Sequence, residues 1–404
     1  MKSWLLSEGR THTSPVTFMN AMCEQLESQG VEFSRVSIMV RTVHPTYEFL
    51  VLIRTPASMN GMMVSTTKKI YSRELHDFDQ HHIEQFLVEY GHTDEATFAS
   101  SPFQAIIDGK SMVRCRLQDI NGDGEYPIFK DLLAVGMTDY MAIPIDLLPP
   151  DYGMMSFCSA CPGGFEDEQV ALLQEIQPLV SMLLSPLLMR DASQSILAAY
   201  LGAGPAQEVY AGRIQLGNVE ELEAVIGFVD MRSFTATTRV AEGTQVIQRL
   251  NEFFSALNMV VTDAGGLILK FMGDGALVVF PLGEDKTENV AKNALDAHKQ
   301  FRKRVNAINS DNAQDPLGPI DFGMALHIGT VLYGNIGAPN RLDFTVIGPA
   351  VNLAARLEGL CPRFGVDIVV SEAFAQLLPD VFEDMGTQRV RGVGNDIRVF
   401  QQRP

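Results

Sequence analysis

The sequence predicts a two-domain chain of mixed α/β (α+β) class, on three observations. Its 404 residues exceed one ordinary domain, and 46% of them are apolar, enough for two buried cores. Short β-branched runs alternate with helical periodicities along the whole length. A stretch with several Gly and Ala, from Asp191 to Gly217, separates the two halves. The expected division is residues 1–190, a linker over 191–216, and a second domain over 217–404.

In the first half, Phe18 to Leu26 has helical spacing. Val36 to Val40 and Tyr47 to Ile53 alternate as strands, with His44-Pro45 in the turn between them. Tyr140 to Ile145 and Gly153 to Cys158 read as two more strands. From Asp167 onward, Val170, Leu173, Ile176, Val180 and Leu184 mark a helix, with breaks expected at Pro178 and Pro186.

The second half opens on the apolar run Ala224 to Val229, which ends in Asp230. Val246, Leu250, Phe253, Phe254 and Leu257 then follow a helical period, closed by Gly265-Gly266. Leu267 to Phe271 and Ala276 to Phe280 flank Gly273-Asp274-Gly275, a hairpin for which Asp-Gly suggests a type I′ turn. A helix is expected over 289–306. Strands are expected over 321–328, 331–336 and 343–347, and a last helix over 351–360. The order β-α-β-β-α-β is ferredoxin-like.

Composition narrows the function. A formal charge of −18 argues against a nucleic-acid surface, because phosphate contacts need a basic patch. Five cysteines do not suggest a disulfide framework, so a reducing, cytoplasmic setting is expected. The N-terminus lacks the apolar core of a signal peptide. The most apolar segment, Leu179 to Met189, is too short to span a bilayer and contains Pro186, so no membrane span is expected.

The chemistry concentrates on two aspartates. Asp230 and Asp274 each stand at the end of an apolar strand, and two carboxylates at neighbouring strand ends can hold two divalent metals roughly 3.5–4 Å apart. Asn352 and Arg356 are four residues apart and share one helix face. Arg forks onto phosphate oxygens, and Asn can orient a sugar or ring oxygen. Each residue alone has a plainer reading. Asp274 suits a turn, Asp230 a helix N-cap, and Lys270, Arg356 and Arg391 a solvated surface. Together they constrain one reaction.

With these residues in place, the sequence resembles the class III nucleotidyl cyclases, the adenylate and guanylate cyclase family. Phe228-x-Asp230-Met231-x-x-Phe234-Thr235 is similar to its first metal motif and Lys270-Phe271-Met272-Gly273-Asp274-Gly275 to its second. Thr345 to Arg356 resembles the signature helix and its approach, and Val390-Arg391-Gly392-Val393-Gly394 a segment that contacts triphosphate. The resemblance runs over about 225–402.

It implies that Asp230 and Asp274 bind two Mg²⁺ or Mn²⁺ per site, with the Met231 carbonyl as a further ligand. Asn352 and Arg356 would steady the transition state. Backbone amides around Ser233, Phe234 and Thr235 would cradle the β- and γ-phosphates, assisted by Arg391. Lys270 would donate to the base N1 and Thr345 would accept from the 6-amino group, a polarity that fits ATP. A guanine reader would carry Glu and a small residue such as Cys. The family builds each site across a dimer, so a homodimer is implied. Ser233 and Pro349 depart from the family pattern at positions without an expected metal or base contact. Two other readings stay open: a cyclase for GTP or a pyrimidine triphosphate, and a catalytically silent signalling dimer.

The order of elements in the first half resembles a GAF-type sensor domain. That implies a small-molecule ligand that the residues do not identify, and a closing helix that pairs with its copy. Asp119 to Gly124 imitates a calcium loop, but Lys130 stands where a bidentate Glu is needed, so a turn is expected. Cys158-x-x-Cys161 has no second pair to complete a metal site. Cys23 and Cys115 read as buried thiols rather than attachment points. His76, His81 and His82, with Asp77 and Asp79, read as a wet helix face.

Overall fold

The computed structural model describes residues 1–42, 44–59, 70–91, 96–120, 125–147, 152–234, 242–283, 285–315, 317–390 and 396–403. The chain forms two compact units, Met1–Ile196 and Leu197–Pro404.

The first unit is built on a seven-stranded sheet: β1 (Arg35–Arg41), β2 (Tyr47–Pro56), β3 (Ile70–Asp77), β4 (His81–Glu89), β5 (Val113–Arg116), β6 (Asp139–Ile145) and β7 (Gly153–Ser159). Their spatial order is β3-β4-β2-β1-β7-β6-β5, with every neighbouring pair antiparallel. Strand alternation sends Leu50 and Leu52 to one face and Phe49 and Val51 to the other. The first face carries the helices Pro15–Glu27 and Asp167–Leu201, which bury Phe18, Met22, Leu173, Ile176 and Val180 against Val36, Ile38 and Phe157. The second face carries the shorter helices Pro102–Ile107 and Pro127–Ala134, with Phe103 and Phe129 packed on Tyr140.

Several expectations change here. The Asp167–Leu201 helix runs unbroken for 35 residues through Pro178 and Pro186. Both prolines lie on its exposed side, where carbonyls that lose their partner can reach water. The opposite side is fastened to the sheet by Val170, Leu173, Ile176, Val180 and Leu184. As folded, this helix is long and apolar enough to cross a membrane by length and composition alone, so the shorter apolar span read from the sequence does not hold. His76, His81 and His82 lie on the β3–β4 hairpin, not on a helix. His82 is buried and shares a 3.1 Å hydrogen bond with Thr55, while His81 stands 3.6 Å from Glu27. The polar sequence of β3 hid its strand character. Residues 121–124 of the calcium-like turn lie outside the described residues. All five cysteines are free thiols, and burial pushes Cys23 up to about 12.

The second unit has an eight-stranded sheet: β8 (Val219–Met231), β9 (Leu267–Met272), β10 (Gly275–Pro281), β11 (Phe322–Ala338), β12 (Arg341–Ile347), β13 (Ile368–Ser371), β14 (Phe382–Gln388) and β15 (Ile397–Gln402). The order is β14-β15-β13-β11-β8-β10-β9, and β12 pairs with β11. The run β11-β8-β10-β9 is the spatial order of a βαββαβ fold, with β8 at its centre. The helices Gly243–Asp263 and Thr287–Asp311 cover one face, packing Phe253, Leu257, Phe301 and Val305 on Val225, Val229, Val278 and Phe280. The helix Pro349–Glu358 lies on the other face, with Ala350 and Ala354 against Ala224, Ile226, Leu277 and Val279.

The two strands expected over 321–336 are one strand, β11, because β8 pairs with it continuously from Phe322 to Gly334. The hairpin between β9 and β10 has Gly273 and Asp274 as its two central residues, since Met272 pairs with Gly275. Only Gly273 has positive φ, at 69°, so the turn has the II′ pattern of Gly in first place rather than the I′ pattern.

Candidate active site

Asp230 is the last outward residue of β8 on the face that carries the Pro349–Glu358 helix. Alternation from Ala224 and Ile226 puts it there. In register it lies between Gly275 of β10 and Gly323 of β11. Both flanks are glycines in tight space, with the Val229 carbonyl oxygen 2.9 Å from a Cβ at Gly275 and Cys361 Cβ 2.9 Å from one at Gly323. A Cβ at Gly275 would come within 2.7 Å of Asp230 Oδ1, and a Cβ at Gly323 within 2.8 Å of Glu358 Oε1. The space beside the strand end is therefore filled by two carboxylates.

Asp274 is the second central residue of the β9–β10 turn, and its carbonyl accepts the Met231 N–H at 3.2 Å, tying the β8 end to the hairpin tip. Partial burial raises Asp230 from 3.8 to about 6, and the nearby Asp274 charge adds to it. Burial also pushes Glu358 up to about 7, reinforced by Asp230 and Asp274 and opposed by Arg232. Three acids thus share one neighbourhood with too little positive charge. Glu358 was not anticipated, because an acid at a helix end reads as ordinary surface until Gly323 and Asp230 are brought beside it.

This donor set fits a hard divalent cation. Among the described residues, no group of three or more His, Cys, Asp or Glu side chains forms a closed metal cage. Asp230 and Asp274 instead offer two carboxylates, the usual protein share for Mg²⁺ that also takes water and substrate phosphates.

Beyond Asp230 the chain is anchored. Arg232 donates its N–H to the Asp321 carbonyl at 2.9 Å, and its guanidinium pairs with the Asp321 carboxylate at 2.9 Å and with the Val366 carbonyl. The Met231 side chain is buried in the helix-side core, and Phe234 packs at that core's edge. Ser233 has φ of 60°, a left-handed conformation in which glycine is at ease and other residues lose about 1–2 kcal/mol. The departure at Ser233 thus falls where the backbone favours a glycine. Thr235 and Arg391 lie outside the described residues.

The remaining candidates fall in two groups. Lys270 on β9 forms an ion pair with Asp343 of β12, and Thr345 is two residues further along β12, half-buried. Asn352 and Arg356 lie on the exposed side of the Pro349–Glu358 helix, whose other side packs Ala350, Ala354 and Leu357. Among the described residues, no hydrogen bond or ion pair joins either to Asp230 or Asp274. A single chain therefore gathers the acids and, separately, brings Lys270 onto Asp343 of the strand that carries Thr345, and leaves Asn352 and Arg356 facing outward.

Residues 219–401 match the model of the adenylate and guanylate cyclase catalytic domain. The adenylate cyclase of Anabaena cylindrica is 31% identical over 166 residues, 41% of this chain and 32% of that protein. Adenylate cyclase 1 of Rhizobium meliloti is 27% identical over 181 residues, 44% of this chain and 27% of that protein. This chain therefore matches about a third or less of those curated relatives. The crystal structure of the adenylyl cyclase CyaB from P. aeruginosa is 27% identical, with a TM-score of 0.43, and aligns over 46% of this chain and 96% of that one. Over residues 219–401, just under half of its length, the chain is thus similar to the catalytic domain of the adenylate and guanylate cyclases.

Proposed function

We propose that this protein converts ATP to cyclic AMP and pyrophosphate, as a homodimer under the control of its N-terminal unit. The observation that carries the reading is the pair of aspartates at adjoining strand ends, crowded enough to raise Asp230 to about 6. In the reaction, the ribose 3′-oxygen bonds to the α-phosphorus, the bond from that phosphorus to the bridging oxygen breaks, pyrophosphate leaves, and the 3′-hydroxyl proton passes to solvent. Two Mg²⁺ or Mn²⁺, when bound, supply activation of the 3′-hydroxyl and neutralisation of phosphate charge. Asp230 and Asp274 would hold these ions, with the Met231 carbonyl as a further ligand. Backbone amides at Ser233, Phe234 and Thr235 would receive the terminal phosphates, and Arg391 would supply a cation to them.

Asn352 and Arg356 face away from their own chain's packed core, which favours a site completed by a second copy. There Arg356 would fork onto the phosphate and Asn352 would orient the ribose. Lys270 and Thr345 would read adenine from opposite polarities, donor to N1 and acceptor from the 6-amino group.

Control by a small molecule is supported by a cavity of about 360 Å³ within the N-terminal unit. Val40, Arg41 and Tyr47 line it from the sheet, and Leu188, Asp191 and Ser195 from the long helix. That helix continues to Leu201.

One experiment tests the core of the proposal. Full-length protein is incubated with each of the four ribonucleoside triphosphates and Mn²⁺, and the products are identified by mass. Cyclic AMP from ATP is the expected product. Predominant cyclic GMP or a cyclic pyrimidine nucleotide would reassign the substrate, and no cyclic product from any of the four would sink the enzymatic reading.

A further inference from the structure

The Lys270–Asp343 ion pair joins strands that lie far apart in sequence, and both side chains are about half exposed, at 46% and 47%. A surface pair of that kind contributes only about 0–1 kcal/mol to stability, so stability does not account well for it. Its position is more informative. Asp343 and Thr345 are two apart on β12 and therefore project from the same face. Both pair with β11, Asp343 opposite Ile336 and Thr345 opposite Gly334, so no cross-strand side chain flanks Thr345.

We propose that Asp343 is a specificity-determining residue of the base site, holding the Lys270 ammonium in its reading position and adding an acceptor beside Thr345. The proposal rests on the cyclase reading above and assigns a third residue to its purine recognition.

The chemistry is one of donors and acceptors. The Lys270 ammonium has three N–H donors, and Asp343 takes one, leaving two for the base. Adenine N1 accepts, whereas guanine N1 carries a hydrogen. The adenine 6-amino group donates, whereas the guanine 6-oxygen accepts. An ionised carboxylate only accepts, so Asp343 favours an amino group over a carbonyl at its edge of the pocket. It also removes rotational freedom from a long, flexible lysine before the nucleotide arrives.

The test compares full-length wild type with Asp343→Asn, Asp343→Ala and Asp343→Glu. Readouts are kcat/KM for ATP and GTP with Mn²⁺, and equilibrium dissociation constants for labelled ATP and GTP. The expected result for Asp343→Asn and Asp343→Ala is a fall of about tenfold in the ATP-to-GTP ratio, the scale of one charged hydrogen bond. The change should lie mainly in KM for ATP, and Asp343→Glu should recover most of it. Equal losses for both nucleotides would mark the pair as a plain strand tether and overturn the proposal, as would an unchanged ratio. Thermal melting of each variant separates misfolding from lost recognition. If wild type cyclises nothing, the cyclase reading fails, and the binding constants alone then decide on Asp343: an unchanged binding ratio overturns its role.

Discussion

The two units use charge near their sheets in opposite ways. In the N-terminal unit, the buried charges Arg54 and Asp139 meet opposite charges. Arg54, only 2% exposed, donates to Asn20 and to both oxygens of Glu27. Asp139, fully buried, accepts from Arg114 at 3.1 Å and from the Phe165 N–H at 3.0 Å. In the C-terminal unit, Asp230, Asp274 and Glu358 gather at the ends of β8 and its neighbours, and like charge reinforces burial in raising Asp230 and Glu358. Opposite pairing holds a fold together. Crowded acids weaken the empty fold and are tolerated where a cation is to be received.

That contrast can be broken by substitution. The largest expected effect is on activity: Asp274→Ala should lower cyclic nucleotide formation by at least about 10³-fold, roughly 4 kcal/mol of barrier. The same change should leave the melting temperature of the metal-free protein equal or higher, because a repelling charge is gone. Residual turnover within tenfold of wild type would refute the metal role. In the N-terminal unit the sign reverses. Arg114→Ala strands the Asp139 carboxylate and should cost about 3–5 kcal/mol in denaturant unfolding, as breaking a buried pair does. A loss below about 1 kcal/mol would show that the pair is not structural.

A smaller, pH-dependent effect sharpens the comparison. Asp230 and Glu358 have folded-state values of about 6 and about 7, above their ordinary 3.8 and 4.5. Between those limits the folded chain binds more protons than the unfolded chain. The associated stability is thus complete below about pH 4 and is lost as pH rises through 6 to 7. Metal-free protein should show this decline in calorimetry, and Glu358→Gln should flatten its upper part. Mn²⁺ should raise the melting temperature more at about pH 7.5 than at about pH 5, because protons compete for the same oxygens. An equal metal shift at both values would remove the link between these acids and metal. The smallest effect belongs to Ser233→Gly, which relieves a left-handed residue and should stabilise by about 1 kcal/mol at most, since glycine also loosens the unfolded chain. Destabilisation instead would mean that the Ser233 side chain holds the turn.

Much of the site was legible because its signals are local. A run of β-branched residues ending in Asp230, a Gly-rich hairpin carrying Asp274, and a four-residue spacing of Asn352 and Arg356 each need only their own segment. The strands β3 and β5 were not legible, because their polar residues follow no clear alternation against a visible core. Continuity of the long helix through Pro178 and Pro186 also escaped, since it depends on which side of the helix the sheet grips.

By itself the sequence determined the core run of elements from β8 to the Pro349–Glu358 helix, though not the single strand β11 or the strands β13 to β15, and the positions of Asp230 and Asp274 on it, because strand and helix periodicity are written residue by residue. Only the tertiary structure decided that Gly275 and Gly323 stand on either side of Asp230, that Glu358 joins the acids, and that Asp343 captures Lys270. Those are properties of burial and Coulomb fields, which are set by neighbours in space and do not exist until the strands are side by side.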